Sequence, residues 1–476
     1  MKIETSSYLQ MIRPKLQQLL NELLADYDYV SILAQDSVSR RYSVSKSGTM
    51  LGADEMLTGR GVVVKVYDGK GYSEYSFNQV NEEELAFAAK ALKENLVPLA
   101  GSLPEGVRES DYRILADTPC TFHESTSCKK HPRELGDEAI VALLDRISRA
   151  GRAMDSRVLN CGATFQYQQY SKMFLSRNRD MVQDIMWANG YISAAASNGE
   201  KVENGMKAFS GLCGAELLDQ MEAGLEETVN TALELLNSQP MVPGEYECIC
   251  TPEVTGMIVH EAFGHGVEMD MFVKKRALAE EYVGKYVASP LVTMHDGASA
   301  ANESATFFFD DEGVLAHDTV VIDHGILKQG ISDLQTAMHL GTEPTGNGRR
   351  QSFDHKAYTR MTNTFFEGGT DSYEDMVKSI SYGFQLEHAT SGMEDPKNWG
   401  IQCMVNIARE IKDGAFTGRI FSPIVLTGYV PDLLKSISMV SNEVVLSGVG
   451  FCGKGYKEWV KVSDGGPYIK AKIRLG

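Results

Sequence analysis

The feature that most constrains the fold is a change of sequence pattern at residues 237–240, Asn-Ser-Gln-Pro. Before this break, segments with helical spacing alternate with segments of period two, whereas most segments after it resemble strands. A single hydrophobic core rarely grows beyond about 250–300 residues. The 476-residue chain is therefore predicted to be an α+β protein, with a mixed α/β domain over 1–239 and a β-rich domain over 240–476.

The first half shows a clear alternation of helical and strand periodicity. Near the N-terminus, leucine and isoleucine recur at three- and four-residue steps, which predicts an amphipathic helix. Runs of β-branched residues between turn signals predict strands. The clearest segments are a helix over 9–24, a strand over 61–67, a helix over 137–153, successive strands over 156–208 and a helix over 215–237.

The second half begins with a short strand over residues 246–250 and then a helix start. Thr251 is a candidate N-cap, and Pro252 suits the first helical position, where its missing N–H costs little. The helix that follows carries His260. Beyond it, turn signals between strand-like runs predict mostly β-structure, with a short helix over 372–380.

The segment 260–265, His-Glu-Ala-Phe-Gly-His, carries the strongest chemical signal. Two imidazoles and an adjacent carboxylate suit a hydrolytic zinc site, because the rings bind the ion and the carboxylate takes a proton from water. The histidines are five residues apart, however, and would lie about 140° apart around a regular α-helix. We therefore predict that the helix is distorted or ends near Gly264, through a π-bulge or a positive φ. The alternative is one buried and one surface histidine that flank a helix end.

A third metal ligand has to come from elsewhere in the chain. Cys452 is one candidate, because four glycines within 448–455 let the backbone approach closely and leave the thiol free. A His-His-Cys set leaves the fourth position of a tetrahedral zinc ion open, although iron or cobalt also binds these donors. Glu268 and Asp270 are alternatives, as ligands or as partners that orient a histidine. Cys452 is equally consistent with a small buried residue in a tight turn.

Charge and cysteine content narrow the class of protein. The 46 basic and 64 acidic side chains give a net charge of −18, which argues against direct binding of nucleic acid. Eight cysteines without a CxxC pair predict reduced thiols. The N-terminal residues lack a signal-peptide pattern, and no apolar run is long enough to span a membrane. We therefore expect a cytoplasmic protein with no membrane contact.

Several segments of the second half resemble the TldD/PmbA metallopeptidases, a family also labelled modulators of DNA gyrase. The family has one subunit type that keeps the HExxxH motif and another that has lost it, and this chain resembles the TldD type that keeps it. In the first half, only the length and the strand at 61–64 agree. The similar segments are 259–270, 310–313, 344–350, 360–369 and 450–454.

This resemblance implies that zinc is bound by His260, His265 and Cys452, with Glu261 as the catalytic carboxylate. It implies an N-terminal α/β domain and a barrel-like C-terminal domain that carries the metal-site helix. It also implies a homodimer, or a heterodimer with a PmbA/TldE-type homologue. The implied substrates are unfolded peptides, including precursor peptides and antitoxins, bound as extended strands through their main chain.

Four further polar residues have two possible roles. Arg349, Arg350, Arg360 and Asn363 are candidates for substrate binding, because arginine and asparagine suit a peptide carbonyl or carboxylate. The alternative is that these residues tie loops to acidic neighbours inside the fold.

The sequence thus supports a hypothesis and two alternatives. The hypothesis is a zinc-dependent peptidase of the HExxxH type, in which Glu261 activates metal-bound water for attack on the peptide carbonyl. One alternative is a non-catalytic peptide-binding or regulatory protein. The other is a subunit that is active only with a motif-lacking partner.

Overall fold

The computed structural model describes residues 1–69, 71–94, 113–455 and 458–476. Its first half is built on long strands, with helices before, between and after them. The strands are β1 (Tyr29–Ser45), β2 (Gly48–Gly52), β3 (Gly59–Tyr67), β4 (Tyr72–Phe77), β5 (Cys120–Ser125), β6 (Val158–Ser176), β7 (Arg179–Ser197) and β8 (Val202–Gly211). The helices are α1 (Ser7–Leu23), α2 (Glu82–Glu94), α3 (Pro132–Leu135), α4 (Asp137–Ala153), α5 (Leu217–Ala223) and α6 (Leu225–Leu235).

These strands form one sheet in the order β4-β3-β1-β6-β7-β5, with β2 beside β1 and β8 beside β7. Because side chains alternate between the two faces, each face has its own partners. One face, which includes Ile32, is covered by the helices. The opposite face carries Leu33 and Trp187, which pack against Phe309 and Phe307 of the second half. Each large buried side chain contributes about 1.5–3 kcal/mol, so this sheet stabilises the contact between the halves.

The second half contains many short strands and few long helices. The strands are β9 (Gly244–Cys250), β10 (Met294–Asp296), β11 (Thr319–Asp323), β12 (Ile326–Leu327), β13 (Gly348–Arg349), β14 (Tyr358–Thr359), β15 (Asn363–Phe366), β16 (Tyr382–Asp395), β17 (Gly400–Lys412), β18 (Ala415–Phe421), β19 (Ile424–Tyr429), β20 (Met439–Val440), β21 (Val445–Ser447), β22 (Phe451–Lys454), β23 (Glu458–Lys461), β24 (Ser463–Gly466) and β25 (Ile469–Leu475). The α-helices are α7 (Pro252–Met257), α8 (Asp270–Val273), α9 (Leu334–Leu340), α10 (Tyr373–Lys378) and α11 (Val430–Lys435).

Five of these strands close into a barrel. Their order is β16-β9-β25-β19-β17, and β17 returns to pair with β16. A six-stranded sheet, β12-β11-β10-β15-β24-β21, lies beside the barrel, and the two-stranded β22–β23 hairpin carries Cys452. The predicted fold class is therefore confirmed: a mixed α/β first half is followed by a β-rich, barrel-containing second half.

Most predicted elements occur where their patterns lie, with two differences. The helix predicted over 215–237 is two helices that meet at Gly224, where a Cβ would lie 2.5 Å from the ring of Phe209. Thr251 occupies the N-cap position of α7, but its side chain makes no capping hydrogen bond. In contrast, α4 spans the predicted residues 137–153.

Three general expectations concern the domain boundary, the cysteines and membrane spans. The described strands of the eight-stranded sheet all precede residue 240 and those of the barrel follow it, but the domain boundary itself stays a prediction. All eight cysteines are free thiols. Among the residues that the structure describes, no helix combines the length and apolar character needed to cross a bilayer.

Candidate metal centre

The helix after β9 changes from α to π geometry at the histidine motif. α7 ends at Met257, a π-helical turn spans Ile258–Gly264, and a 3₁₀ turn begins at His265. The backbone N–H of His265 donates to the carbonyl of His260, a hydrogen bond across five residues. This wider turn brings residues five apart to the same side, as an α-helix does for residues four apart. The predicted distortion is therefore confirmed.

Gly264 suits this turn because of packing, not because of an unusual backbone angle. Its φ is −57°, so the positive φ that the sequence left open is not adopted. A Cβ at this position would lie 2.3 Å from Sδ of Met361. The turn is anchored by Val259 and Phe263, which are fully buried in the core. Tertiary burial therefore stabilises a backbone form that is otherwise rare.

His260, His265 and Cys452 converge at this turn. Their possible ligand atoms all lie within 4.8 Å of one another, and Sγ of Cys452 is 3.5 Å from Nε2 of His265. Zinc bonds of about 2.0–2.3 Å would place tetrahedral ligand atoms about 3.3–3.7 Å apart. The cluster is therefore close to the size of a zinc site and needs a modest contraction to reach it.

The charges of the cluster influence one another. Burial alone would raise the pKa of the Cys452 thiol, but His265 and His260 lower it well below its ordinary value. Burial alone would lower the pKa of His265, but Cys452 and then Glu268 raise it well above its ordinary value. The arrangement favours the thiolate of Cys452, which is the form of cysteine that binds metal ions.

Glu268 orients the ring of His265. Its Oε2 lies 3.2 Å from Nδ1 of His265 and 3.2 Å from Nζ of Lys454, and Nε of Arg360 is 3.9 Å from its Oε1. Burial would raise the pKa of Glu268, but Lys454 and then His265 lower it to about 2. Because Nδ1 is engaged, Nε2 of His265 is left to face the cluster. Asp270, the other acid considered from the sequence, binds Lys454 at 2.6 Å instead.

Glu261 lines an open cavity of about 550 Å³ beside the cluster. Its Oε2 lies 4.0 Å from Nε2 of His265. Gly392 of β16 makes room for this side chain, because a Cβ there would lie 2.4 Å from Cγ of Glu261. Glu394 lines the same cavity and accepts the backbone N–H of Gly266 at 3.0 Å. Burial raises the pKa of Glu394 well above its ordinary value.

Two of the four candidate substrate-binding residues are enclosed in the fold. Arg360 is 1% exposed and donates to the carbonyl oxygens of Cys452 and Glu458, at 2.5 and 2.7 Å. Asn363 is fully buried, and its amide donates to the carbonyl oxygen of Gly297 at 3.1 Å. Arg360 therefore holds the β22–β23 hairpin, and both residues follow the alternative in which polar side chains tie loops together.

The adjacent arginines Arg349 and Arg350 have different surroundings. Arg350 donates to Glu74 at 2.5 Å and to the carbonyl oxygen of His355 at 2.7 Å, which also follows the structural alternative. Arg349 lines a second cavity, together with Lys461, on the side of the hairpin away from the histidines. Arg350 lines this cavity too, but its guanidinium is bound to Glu74 and His355, so Arg349 is the member of this set that lines the cavity without a described ion pair.

The structure also brings an unpredicted acid to the cluster. Asp464 of β24 is close enough to His260 for the two charges to interact, while burial raises the pKa of Asp464 to about 6. Its Oδ1 would lie 2.6 Å from a Cβ added at Gly256 of α7. No motif marks Asp464 or Glu394 in the sequence, since each reaches the site only through the arrangement of β24 and β16.

The fold and the cluster define a class of protein: an α+β chain whose barrel half holds a His-His-Cys cluster beside an open cavity. A family model for the PmbA/TldA metallopeptidase C-terminal domain matches residues 243–474. A metalloprotease TldD homolog of Buchnera aphidicola is 30% identical to this chain, over 69% of it and 70% of that relative. The chain therefore belongs to the PmbA/TldD metallopeptidase family.

Further relatives extend the similarity. A metalloprotease of Methanocaldococcus jannaschii is 27% identical over 87% of this chain and 89% of its own length. A zinc metalloprotease TldD homolog of Saccharolobus solfataricus is 31% identical over 54% of this chain and 57% of its own.

Solved structures have the same fold. A candidate modulator of a DNA gyrase from Thermotoga maritima has a TM-score of 0.75 at 17% identity, covering 97% of this chain and 100% of its own. TldE from Thermococcus kodakarensis has a TM-score of 0.73 at 19% identity, covering 97% and 99%. At such identities the likeness is one of fold.

Proposed function

We propose that this chain is a zinc-dependent peptidase that hydrolyses unfolded or extended peptides. The observation that carries the proposal is the convergence of His260, His265 and Cys452 within 4.8 Å, next to Glu261 and an open cavity. Relatives named as metalloproteases, one of them as a zinc metalloprotease, support the same class.

The residues of the cluster fit a zinc ion. Imidazole nitrogen and thiolate sulfur are its common donors, and three protein ligands leave one position open. Nδ1 of His260 is buried without a hydrogen-bond partner among the described residues, as expected of a ring that is available to bind a metal ion. We propose His260, His265 and Cys452 as ligands. When bound, zinc would polarise the scissile carbonyl and acidify the attacking water.

Glu261 is proposed to carry the proton in this reaction. Its carboxylate accepts the proton of the attacking water and then gives it to the amide nitrogen as the C–N bond breaks. The position of Glu261 on the cavity wall, 4.0 Å from His265, suits both transfers. Glu268 is proposed to hold His265 in its ligand orientation, because its Oε2 contacts Nδ1.

An extended peptide suits this site better than a folded protein. The cavity is lined on one side by Gly453 and Gly455 of the β22–β23 hairpin. Among the described strands, the two strands of this hairpin pair only with each other, so their outer edges have no neighbouring strand. Arg360 occupies the carbonyl oxygens of Cys452 and Glu458, and a peptide would use the other backbone groups of these edges. An edge of this kind binds extended peptides through main-chain hydrogen bonds and reads little sequence. We propose precursor peptides or antitoxins as the substrate type.

The substitution Glu261→Gln tests this proposal. The variant is expected to retain zinc, because glutamine leaves the three ligands in place, and to lose activity about 10²- to 10⁴-fold, because the proton acceptor is gone. Zinc is measured by metal analysis and activity with fluorescently labelled casein, an unfolded protein. The matched control is Glu281→Gln, at an exposed position outside the cavity lining. Full activity of Glu261→Gln would refute the proposal.

The same assay distinguishes the proposed function from two alternatives. Intact casein in a tight complex with zinc-loaded wild-type chain would indicate a non-catalytic peptide-binding protein. Turnover only after a motif-lacking homologue is added would indicate an obligatory partner.

We propose a dimer, either of this chain or with a PmbA/TldE-type homologue, and the fold likeness to TldE supports the second form. Light scattering of the chain alone and of the mixture measures this. A cytoplasmic location stays a prediction.

A further inference from the structure

Lys461 and its neighbours lie on the other side of the β22–β23 hairpin from the His-His-Cys cluster. Lys461 pairs with Phe451 across the hairpin, and Cys452 pairs with Val460. Because successive side chains of a strand point to opposite faces, Lys461 lies on the face opposite to Cys452. The hairpin thus separates the His-His-Cys cluster from the surroundings of Lys461.

Lys461 is buried without a hydrogen-bond acceptor. It is only 7% exposed, and Nζ has no hydrogen-bond partner among the described residues. The rings of Trp187 and Phe451 lie 4.3 and 4.4 Å from Nζ, measured to their centroids. Aromatic faces attract a cation but do not accept its three N–H donors as a carboxylate does. Burial lowers the pKa of Lys461 to about 7, with Glu303 opposing this only in part.

Arg349 faces the same cavity and is also short of negative partners. Its guanidinium donates to the carbonyl oxygen of Met361 at 2.6 Å and lies 5.5 Å from the ring centroid of Phe307. Over the described residues, no carboxylate lies within ion-pair distance of Arg349, although Asp311 exerts a weaker attraction. Burial, together with Arg360, lowers the pKa of Arg349 to about 10.

The carboxylates in the cavity wall are already engaged. Asp311 binds Lys172 and accepts the backbone N–H of Arg350 at 2.8 Å. Asp310 accepts backbone N–H groups from Glu312, Val314 and Gly348, each at 2.9 Å. The acids of the wall therefore leave the cationic donors of Lys461 and Arg349 available.

The cavity has room for a small acidic group. Its volume is about 80 Å³, and a single water needs roughly 10–15 Å³ measured in this way. Gln168 and Tyr170 also line it, so its wall is polar as well as aromatic. The space holds a carboxylate on a short stem and is too small for a long side chain.

We propose that this cavity is a carboxylate-binding site in which Lys461 and Arg349 bind the acidic group of a peptide. Lys461 and Arg349 donate charge-assisted hydrogen bonds to this acidic group. The carboxylates of the cavity wall do not compete for these donors, because they are already engaged. That the ligand is a peptide rests on the proposed function. The carboxylate can come from the peptide C-terminus or from an acidic side chain, and the experiment below distinguishes these sources.

The test measures binding directly, by calorimetry on zinc-loaded Glu261→Gln protein, which is not expected to cleave the probe. Three probes are used: N-acetyl-trialanine with a free C-terminal carboxylate, its C-terminal amide, and the amide with one alanine replaced by aspartate. The free acid is expected to bind at least about 10-fold more tightly than the amide, since it alone presents a C-terminal charge. Tight binding of the aspartate amide as well would extend the site to side-chain carboxylates.

The second arm replaces Lys461 by methionine, which keeps the length and the contact with the two rings. Lys461→Met is expected to weaken binding of the free acid by about 10- to 100-fold. Lys412→Met, at an exposed position of β17, is the matched control and should bind as the parent does. Arg349→Gln gives an independent reading if Lys461→Met fails to fold, which circular dichroism checks.

Equal binding of acid and amide by the parent protein, or parent-like binding of the acid by folded Lys461→Met, would overturn the proposal. The outcome is independent of catalysis. If carboxylate binding depends on Lys461 but the wild-type chain hydrolyses no peptide, the carboxylate site is supported and the proposed function is refuted. If the wild-type chain hydrolyses peptides but the protein shows no preference for the acid over the amide, the proposed function is supported and the carboxylate site is refuted.

Discussion

Replacing Glu268 by glutamine tests the contacts that orient His265. Oε2 of Glu268 is 3.2 Å from Nδ1 of His265, and the carboxylate is held in turn by Lys454 and Arg360. Glutamine keeps the size of the side chain and one acceptor oxygen, but it removes the charge. Loss of such a supporting group around a metal ligand lowers metal affinity by about 10- to 100-fold. We expect the Glu268→Gln variant to bind zinc more weakly by this factor.

The same change is expected to lower stability. The pKa of Glu268 falls from 4.5 to about 2, and each pKa unit corresponds to about 1.4 kcal/mol. The ionised carboxylate therefore contributes on the order of 3 kcal/mol to the free energy of unfolding. Because the folded pKa is lowered, this contribution is present above pH 4.5 and is lost as the pH falls toward 2. At neutral pH, the variant should lose most of it.

Zinc affinity is measured near neutral pH by competition with a chromophoric chelator, and stability by urea unfolding of the metal-free protein. Asp270→Asn is the matched control, since Asp270 also binds Lys454, at 2.6 Å, and has no described contact with His265. It should change stability while zinc affinity stays near the wild-type value. The reasoning is refuted if Glu268→Gln binds zinc as the wild type does, or if both variants weaken binding equally.

Two further predictions concern Glu261, the proposed proton acceptor, and the contact between the halves. Gly392→Ala should displace Glu261, since its Cβ would lie 2.4 Å from Cγ, so activity falls at least about 10-fold while metal analysis finds zinc retained. Glu74→Gln should lower the free energy of unfolding by about 2–3 kcal/mol at neutral pH, because Lys65 and Arg350 outweigh burial and hold the pKa of Glu74 at about 2. In urea titrations, this difference should shrink as the pH falls from 4.5 toward 2, and a constant difference would contradict the cause given.

Local rules were sufficient to predict much of the fold. Helix α4 lies over its predicted residues because its apolar positions repeat at helical steps, and that signal needs no information from the rest of the chain. The π-helical turn was also predictable, because histidines five apart share one side only if the helix widens. The reason why residue 264 is a glycine was not predictable, because it depends on close packing with Met361, a residue almost a hundred positions away.

The surroundings of the cluster depend on contacts that no local pattern encodes. Arg360 holds the carbonyl oxygen of Cys452 across 92 positions, and Cys452 itself meets His265 across 187. An arginine in such a segment is equally suited to bind a substrate or a carbonyl oxygen within the fold, and only the packing of the chain distinguishes the two roles. Lys461 is a sharper case, because a lone lysine near the end of a strand ordinarily indicates a solvated position.

The π-helical turn makes the proposed metal site depend on folding of the barrel half. Its backbone form has little stability of its own, and it is maintained by the burial of Val259 and Phe263 in the core. The third proposed ligand, Cys452, is fixed by Arg360 in a different segment. All three donors therefore come together only when the core is complete, and the HExxxH segment by itself lacks the means to hold them. Zinc bound to the assembled cluster would then stabilise the whole barrel half, since a ligand that binds only the folded state shifts the equilibrium toward it.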